Sequence, residues 1–164
     1  MILRDEQGGD EDAISTLITA AFLGTDHSDG SEAAIVERLR ADRTLALSLV
    51  AEANDGTLIG HLALSPVTIS DGMQRWYGLG PIAVTPDWQR QRIGTALIHE
   101  AFARMEAAGA RGCVVLGDPA YYRRFGFTHD PVLTYPGAPP EFFQRIVFTG
   151  DAPAGEVRYA AAFG

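Results

Sequence analysis

The chain contains no lysine; all 13 of its basic residues are arginines. A lysine Schiff base, or the lysine of a G-K-[ST] phosphate loop, is therefore excluded. A single cysteine, Cys113, leaves no partner for an internal disulfide and no cysteine-rich metal site, and it is compatible with a reducing compartment. No apolar run approaches the roughly 20 residues of a membrane span. The opening MILRDEQGGDEDA also lacks a basic stretch ahead of an apolar one, so no membrane partner and a cytoplasmic location are expected. Internal repeats and low-complexity segments are absent. The net charge of −8 argues against nucleic acid as a partner, because such binding rests on clustered cations that release counterions.

What is present fits one globular domain spanning residues 1–164, with 46% hydrophobic and 21% charged residues and enough length to bury a core. Charge is unevenly spread. Residues 85–127 carry six arginines (90, 92, 104, 111, 123 and 124) against four acids, Asp87, Glu100, Glu106 and Asp118. A locally basic segment in an acidic chain points to a small polyanionic ligand, with scattered surface arginines as the plain alternative.

Periodicity predicts a strand at Met1–Arg4 and a helix to Phe22, begun at Asp10 and Asp12, with Ala13, Leu17, Ile18 and Phe22 inward. The polar loop LGTDHSDGS follows, then a helix from about Ser31 carrying Ile35, Val36 and Leu39 on one side. Strands are expected at 45–53, 58–69 and 76–84, joined by Asn54-Asp55-Gly56 and Asp71-Gly72, which makes an antiparallel meander. Gly78, Gly80 and Pro81 interrupt its last strand, a pattern that marks a bulge or the close approach of another backbone. A helix from Ile93 to about Ala108 places Ile93, Leu97, Ala101, Met105 and Ala108 on one face, with Gly109 as its stop. Cys113–Leu116 then returns as a short apolar strand parallel to the third strand of the meander. A small helix at 120–125 and strands at 142–148 and 157–163 complete the chain.

The stretch LGPIAVTPDWQRQRIG organises this layout. An apolar strand stops at Pro86, a turn rich in Gln and Arg follows, and a helix opens. The first turn of a helix has backbone N–H groups with no intrahelical partner and carries the positive end of the macrodipole. A phosphate docks naturally there.

The turn Gln89-Arg90-Gln91-Arg92-Ile93-Gly94 resembles the pyrophosphate loop of the GNAT superfamily of N-acetyltransferases, whose pattern is Q/R-x-x-G-x-G/A. Arg92 stands where that pattern has its first glycine. A second stretch, Tyr122-Arg-Arg-Phe-Gly126-Phe127, resembles the Y-x-x-x-G-F of the same superfamily. The fuller run GCVVLGDPAYYRRFGF is similar to the G-x-P-x-Y-Y-x-R-F-G-F signature of a bacterial subgroup of acetyltransferases.

The resemblance implies the acyl-CoA N-acyltransferase fold. This is an α+β architecture whose mixed, mostly antiparallel sheet of about seven strands is flanked by helices, with two splayed parallel strands forming the cofactor cleft. It also implies acetyl-CoA as co-substrate, an amine acceptor, direct attack in a ternary complex, no metal, and the homodimers frequent in the superfamily. The main chain of Ile82, Ala83 and Val84 would pair with the pantetheine arm. Gln89, Arg90, Gln91, Arg92, Ile93, Gly94 and Thr95 would hold the pyrophosphate. Tyr122 would contact the cofactor and donate a proton to the departing sulfur, a role suited to a phenol whose ordinary pKa is near 10. Packing beside Tyr121 and Phe125 is the plain alternative for Tyr122.

Other candidates carry less. Asp118, before Pro119, is expected to cap the small helix. His61 is either a general base or a satisfied strand histidine. His99 and Glu100 fall on a solvated helix face, and Asp26, His27 and Asp29 fit no ligand spacing. Cys113 is expected to be inert core. The competing function is an acyl-CoA-binding module without turnover, for which the arginine at position 92 and the lack of an evident base leave room.

Overall fold

A computed structural model describes residues 1–26 and 28–164. In chain order the elements are β1 (Ile2–Asp5), α1 (Glu11–Phe22), α2 (Glu32–Ala41), β2 (Leu47–Glu52), β3 (Leu58–Pro66), β4 (Thr68–Ile69) and β5 (Trp76–Val84). They continue with α3 (Ile93–Ala107), β6 (Gly112–Leu116), α4 (Pro119–Tyr122), β7 (Leu133–Thr134), β8 (Phe143–Val147) and β9 (Gly155–Arg158). Six strands form the central sheet in the order β1-β2-β3-β5-β6-β8, and β4, β9 and β7 form a small second sheet. Within the central sheet β5 and β6 run parallel, and the other neighbouring pairs are antiparallel. The architecture is the mixed, mostly antiparallel one that the sequence led us to expect, with nine strands among the described residues divided between two sheets.

The two meander turns use one device. Asp55 accepts the amide N–H of Thr57 at 3.0 Å and Asp71 accepts that of Met73 at 2.9 Å, so each aspartate closes its turn locally. Side chains alternate across the sheet. Leu49, Leu62 and Leu64 accordingly meet α3 through Leu97, Ile98 and Ala101, while Val50, Ala63 and Ala83 meet α1 and α2 through Ile14, Ile18 and Val36 on the opposite face. Each of the buried Leu, Ile and Val side chains among these contributes about 1.5–3 kcal/mol relative to exposure. A third cluster, with Trp76, Val114, Phe143 and Val157, ties the second sheet to the first.

Several boundaries differ from expectation. In α1 Ala13 is exposed and Ile14 is buried, because a stripe through Leu17 and Ile18 passes through position 14 one turn earlier. Asp10 does not cap α1 through its side chain. It pairs instead with Arg4 at 2.8 Å. Ala108 caps α3 and is exposed. The strand expected over 58–69 splits after Pro66, which has no N–H to continue a ladder, and Thr68–Ile69 pairs with β9. The final strand runs only over Gly155–Arg158, and a short helical turn occupies Ala161–Phe163.

The irregularity expected at Gly78-Leu79-Gly80-Pro81 is a β-bulge. Leu62 faces Ile82 and Leu64 faces Leu79, so Gly80 and Pro81 together oppose Ala63. Gly80 has φ +142°, a conformation open to glycine and costly for other residues. β5 pairs with β6 from Trp76 to Leu79. Beyond the bulge the two strands part.

Candidate active site

Backbone groups alternate in direction along a strand. The amide of Thr85 donates to Ile59 of β3 at 2.9 Å, which turns the N–H and C=O of Val84 and of Ile82 toward the side where β6 is missing. Consistently, the carbonyl of Val84 accepts the side-chain amide of Gln89 at 3.1 Å. Past Leu79, β5 thus offers a backbone edge with no strand partner on that side.

That edge runs into the turn that opens α3. Pro86 opens a 3₁₀ turn at Pro86–Trp88, and the chain then passes through Arg90 and Arg92, both with φ +64°. Arg92 lies in the left-handed region (ψ 21°) as the N-cap of α3, with no side-chain cap. This is the conformation for which glycine is ordinarily used, at a cost to arginine of about 1–2 kcal/mol. Arg92 thus adopts, at that cost, the conformation that a glycine takes freely. The first helical bond is from Ala96 N–H to the carbonyl of Arg92 at 3.0 Å, and the N–H groups of Ile93, Gly94 and Thr95 precede it.

A cleft of about 520 Å³ joins these pieces. It is lined by nine of the expected residues, Ile82, Ala83, Val84, Gln89, Arg90, Arg92, Ile93, Gly94 and Thr95, together with Trp88, Tyr121 and Arg124. Gln91 lies outside that lining and reaches back to the carbonyl of Asp87 at 3.5 Å. No acid lines the cleft among the described residues, whereas three arginines do. Its charge therefore suits a polyanion. Trp88 and Tyr121 were not singled out as site residues from the sequence, and Arg124 entered only as one arginine of the basic segment. The guanidinium of Arg124 sits 4.7 Å from the Tyr121 ring centroid, and a Cβ at Gly94 would come 3.0 Å from the Tyr121 hydroxyl. The available signal was spacing, since positions 121 and 124 are one turn apart and share a face.

Tyr122 lines a second cleft, of about 410 Å³, on the other side of the bulge, and Ile82 belongs to both linings. Its ring packs edge-on against Tyr121 and Phe127. Gly117 makes room for it, since a Cβ there would lie 2.5 Å from the ring. Burial, aided by neighbouring Tyr121, raises the Tyr122 pKa well above that of a free phenol, so the hydroxyl carries its proton at neutral pH. Asp118 caps α4 as expected, accepting the amide of Ala120 at 2.9 Å.

The remaining candidates separate clearly. His61 lies on β3 opposite Ala83, is fully buried, and contacts the Ser48 hydroxyl through Nε2 at 2.8 Å. Ser48 in turn donates to Glu6 at 2.7 Å, and Glu6 pairs with Arg40 at 2.8 Å. Because the only hydroxyl hydrogen of Ser48 goes to Glu6, Nε2 of His61 must be the donor, and Nδ1 is a buried acceptor with no partner among the described residues. Burial pushes the His61 pKa down to about 4. The ring is neutral at pH 7, and half of its hydrogen-bonding capacity is satisfied.

His99 is exposed and packs edge-on against Phe125. Cys113 is buried and its thiol is pushed up by burial, which leaves it unsuited to nucleophilic attack. Asp29 accepts both the amide and the hydroxyl of Ser31, while His27 lies outside the described residues. Among those residues no group of three potential ligands gathers to hold a metal, and no helix is long and apolar enough to cross a membrane.

Comparison with known proteins shows the family. Residues 45–129 match the model of the acetyltransferase (GNAT) domain. The chain is 36% identical over 146 residues to the uncharacterized N-acetyltransferase YhbS of Escherichia coli K12, covering 87% of this chain and 84% of that one. A crystal structure of a GNAT family acetyltransferase from Brucella melitensis in complex with acetyl-CoA superposes with a TM-score of 0.87 at 45% identity, over 99% of this chain and 97% of that one. The structure of Escherichia coli YhbS in complex with CoA superposes with a TM-score of 0.90 at 32% identity, over 99% and 91% of the two chains.

Proposed function

Since the chain belongs to the GNAT family of acetyltransferases and is thereby an acetyl-CoA-dependent N-acetyltransferase, we propose that it transfers the acetyl group to a primary amine by direct attack within a ternary complex. The observation that carries this reading is the parting of β5 and β6 after Leu79, which leaves a backbone edge with no strand partner leading into an uncapped helix start. Acetyl-CoA, when bound, supplies an activated thioester carbonyl and a thiolate leaving group. The protein's part is to hold, align and protonate.

The outward N–H and C=O of Ile82 and Val84 align the pantetheine arm as an added strand would. The N–H groups at the start of α3 hold the pyrophosphate, with Arg90, Arg92 and Arg124 adding charge at the rim of the same cleft. The bound ammonium first loses a proton to solvent; the neutral nitrogen then bonds to the carbonyl carbon as the C–S bond breaks and gives up a second proton to solvent. Tyr122 protonates the departing sulfur and regains its proton from solvent. The phenol is protonated at neutral pH, and a positioned acid contributes about 10²–10⁴-fold. Two identities suffice for chemistry of this type, an oriented thioester and a neutral amine, so no covalent enzyme intermediate is required.

The test joins binding to turnover. Acetyl-CoA should raise the melting temperature, and one or more amines from a diverse panel should drive thiol release. Tyr122→Phe should lower kcat about 100-fold while the melting shift with acetyl-CoA persists. Undiminished thiol release in that variant refutes the proton-donor role. Stabilisation without release by any amine identifies a binder, and absence of stabilisation refutes the cleft assignment.

A further inference from the structure

Resting on the transfer reading, we infer that the acceptor is a small primary amine with an aromatic or branched apolar body and no carboxylate, seated in the second cleft between α2 and the C-terminal aromatic residues. Position comes first. The two clefts share Ile82 at the point where β5 leaves β6, so a nitrogen lodged in the second cleft faces, across that residue, the edge assigned to the thioester arm. The volume of about 410 Å³ suits a small molecule.

The chemistry of the walls selects the ligand. Asp29 and Glu32, at the start of α2, are the charged residues of this lining, and among the described residues no arginine accompanies them. Both carboxylates are held in place by hydroxyls. Ser28 donates to Glu32, and Ser31 donates to Asp29, each at 2.5 Å. An ammonium group is attracted to such a pair. A free amino acid would bring its own carboxylate against like charges with no cation to receive it, and like-charge juxtaposition of that kind is how sites reject a competitor.

The body of the acceptor meets a different surface. Tyr159 stacks edge-on with Tyr135 and also packs on Phe163, and all three line the cleft, as does Phe22. Rings of this kind favour an apolar body, and they also hold a nearby cation over their faces. Gly78 of β5 is cut away for this wall, because a Cβ there would lie 2.5 Å from the Tyr159 ring. The Tyr159 hydroxyl is buried and has no hydrogen-bond partner among the described residues. An unpaired buried hydroxyl is costly, and an amine N–H donating to it satisfies the group. We assign Tyr159 as a positioning residue for the acceptor.

The experiment compares 2-phenylethylamine, phenylalanine, spermidine and a neutral tetrapeptide as acceptors at saturating acetyl-CoA, with thiol release as the readout. In parallel, calorimetry measures 2-phenylethylamine binding to the CoA-loaded protein. The expected kcat/KM for 2-phenylethylamine exceeds that for phenylalanine by about 100-fold, and that for spermidine and the peptide by about 10-fold. Glu32→Gln should raise KM for 2-phenylethylamine about 5-fold with kcat little changed, and it should narrow the gap to phenylalanine. Tyr159→Phe, which keeps the ring against Gly78, should lower kcat/KM about 5-fold and leave the melting shift with acetyl-CoA intact. Equal or better use of phenylalanine, spermidine or the peptide overturns the inference, as does an unchanged KM in Glu32→Gln. Stabilisation by acetyl-CoA without binding or acetylation of 2-phenylethylamine overturns the inference alone. Binding of the amine without any effect of acetyl-CoA overturns the transfer reading and supports the amine site.

Discussion

Lowering the pH should unload stability from one buried residue, His61, before the carboxylates contribute. The ring is fully buried on β3, its Nε2 donates to Ser48, and its Nδ1 faces no partner among the described residues. Protonation would place a charge where nothing accepts the new N–H, so the folded pKa falls from 6.5 to about 4. In the unfolded chain the same histidine binds a proton below about 6.5. The unfolded state therefore holds more protons than the native one between pH 6.5 and 4, and stability rises with pH across that window. The full separation corresponds to about 3 kcal/mol, lost as pH falls toward 4.

Glu6 has the opposite character. Burial raises its pKa, but the hydrogen bonds from Arg40 and Ser48 outweigh that and hold it below the ordinary carboxylate value. Its contribution is present above about pH 4.5 and lost as pH falls through its folded pKa. Urea unfolding compared at pH 6.5 and pH 4.5 thus isolates His61, with an expected loss of about 2 kcal/mol, or ~1 M in the midpoint for a domain of this size. His61→Gln keeps a neutral donor for Ser48 and removes the titration. That variant should show a flatter pH dependence by the same amount. An equal pH slope in wild type and His61→Gln would refute the reasoning.

Two further outcomes follow from the site. Arg92→Gly relieves a left-handed arginine but loosens the unfolded chain, so the net effect is a stabilisation of about 0.5 kcal/mol, read as a small rise in the apo melting temperature. The same change removes a guanidinium from the anion cleft and should weaken acetyl-CoA binding about 3-fold by calorimetry; a variant that is less stable and binds more tightly contradicts both points. Gly117→Ala puts a methyl group 2.5 Å from the Tyr122 ring, so kcat should fall about 10-fold while the dissociation constant for acetyl-CoA stays unchanged, measured by stopped assay and calorimetry on one preparation.

The order and type of the main elements were legible because their determinants are local. Period 3.6 in α3, period 2 in the meander, and aspartate-closed turns at 54–56 and 71–72 each declare themselves within a few residues. The turn from β5 into α3 was legible for the same reason, since a proline-ended strand followed by a helix start defines it. Gly80-Pro81 announced the bulge without saying what it opposes. Tertiary structure decided the rest. It divided the strands into two sheets, sent β4 to pair with β9 from the far end of the chain, and buried His61 against Ser48 thirteen residues away. It also gathered Asp29, Glu32, Tyr135 and Tyr159 around one cleft. Those groupings join residues up to about 130 positions apart in the chain, and only the packing of both layers of helices and the second sheet onto β5 brings them together.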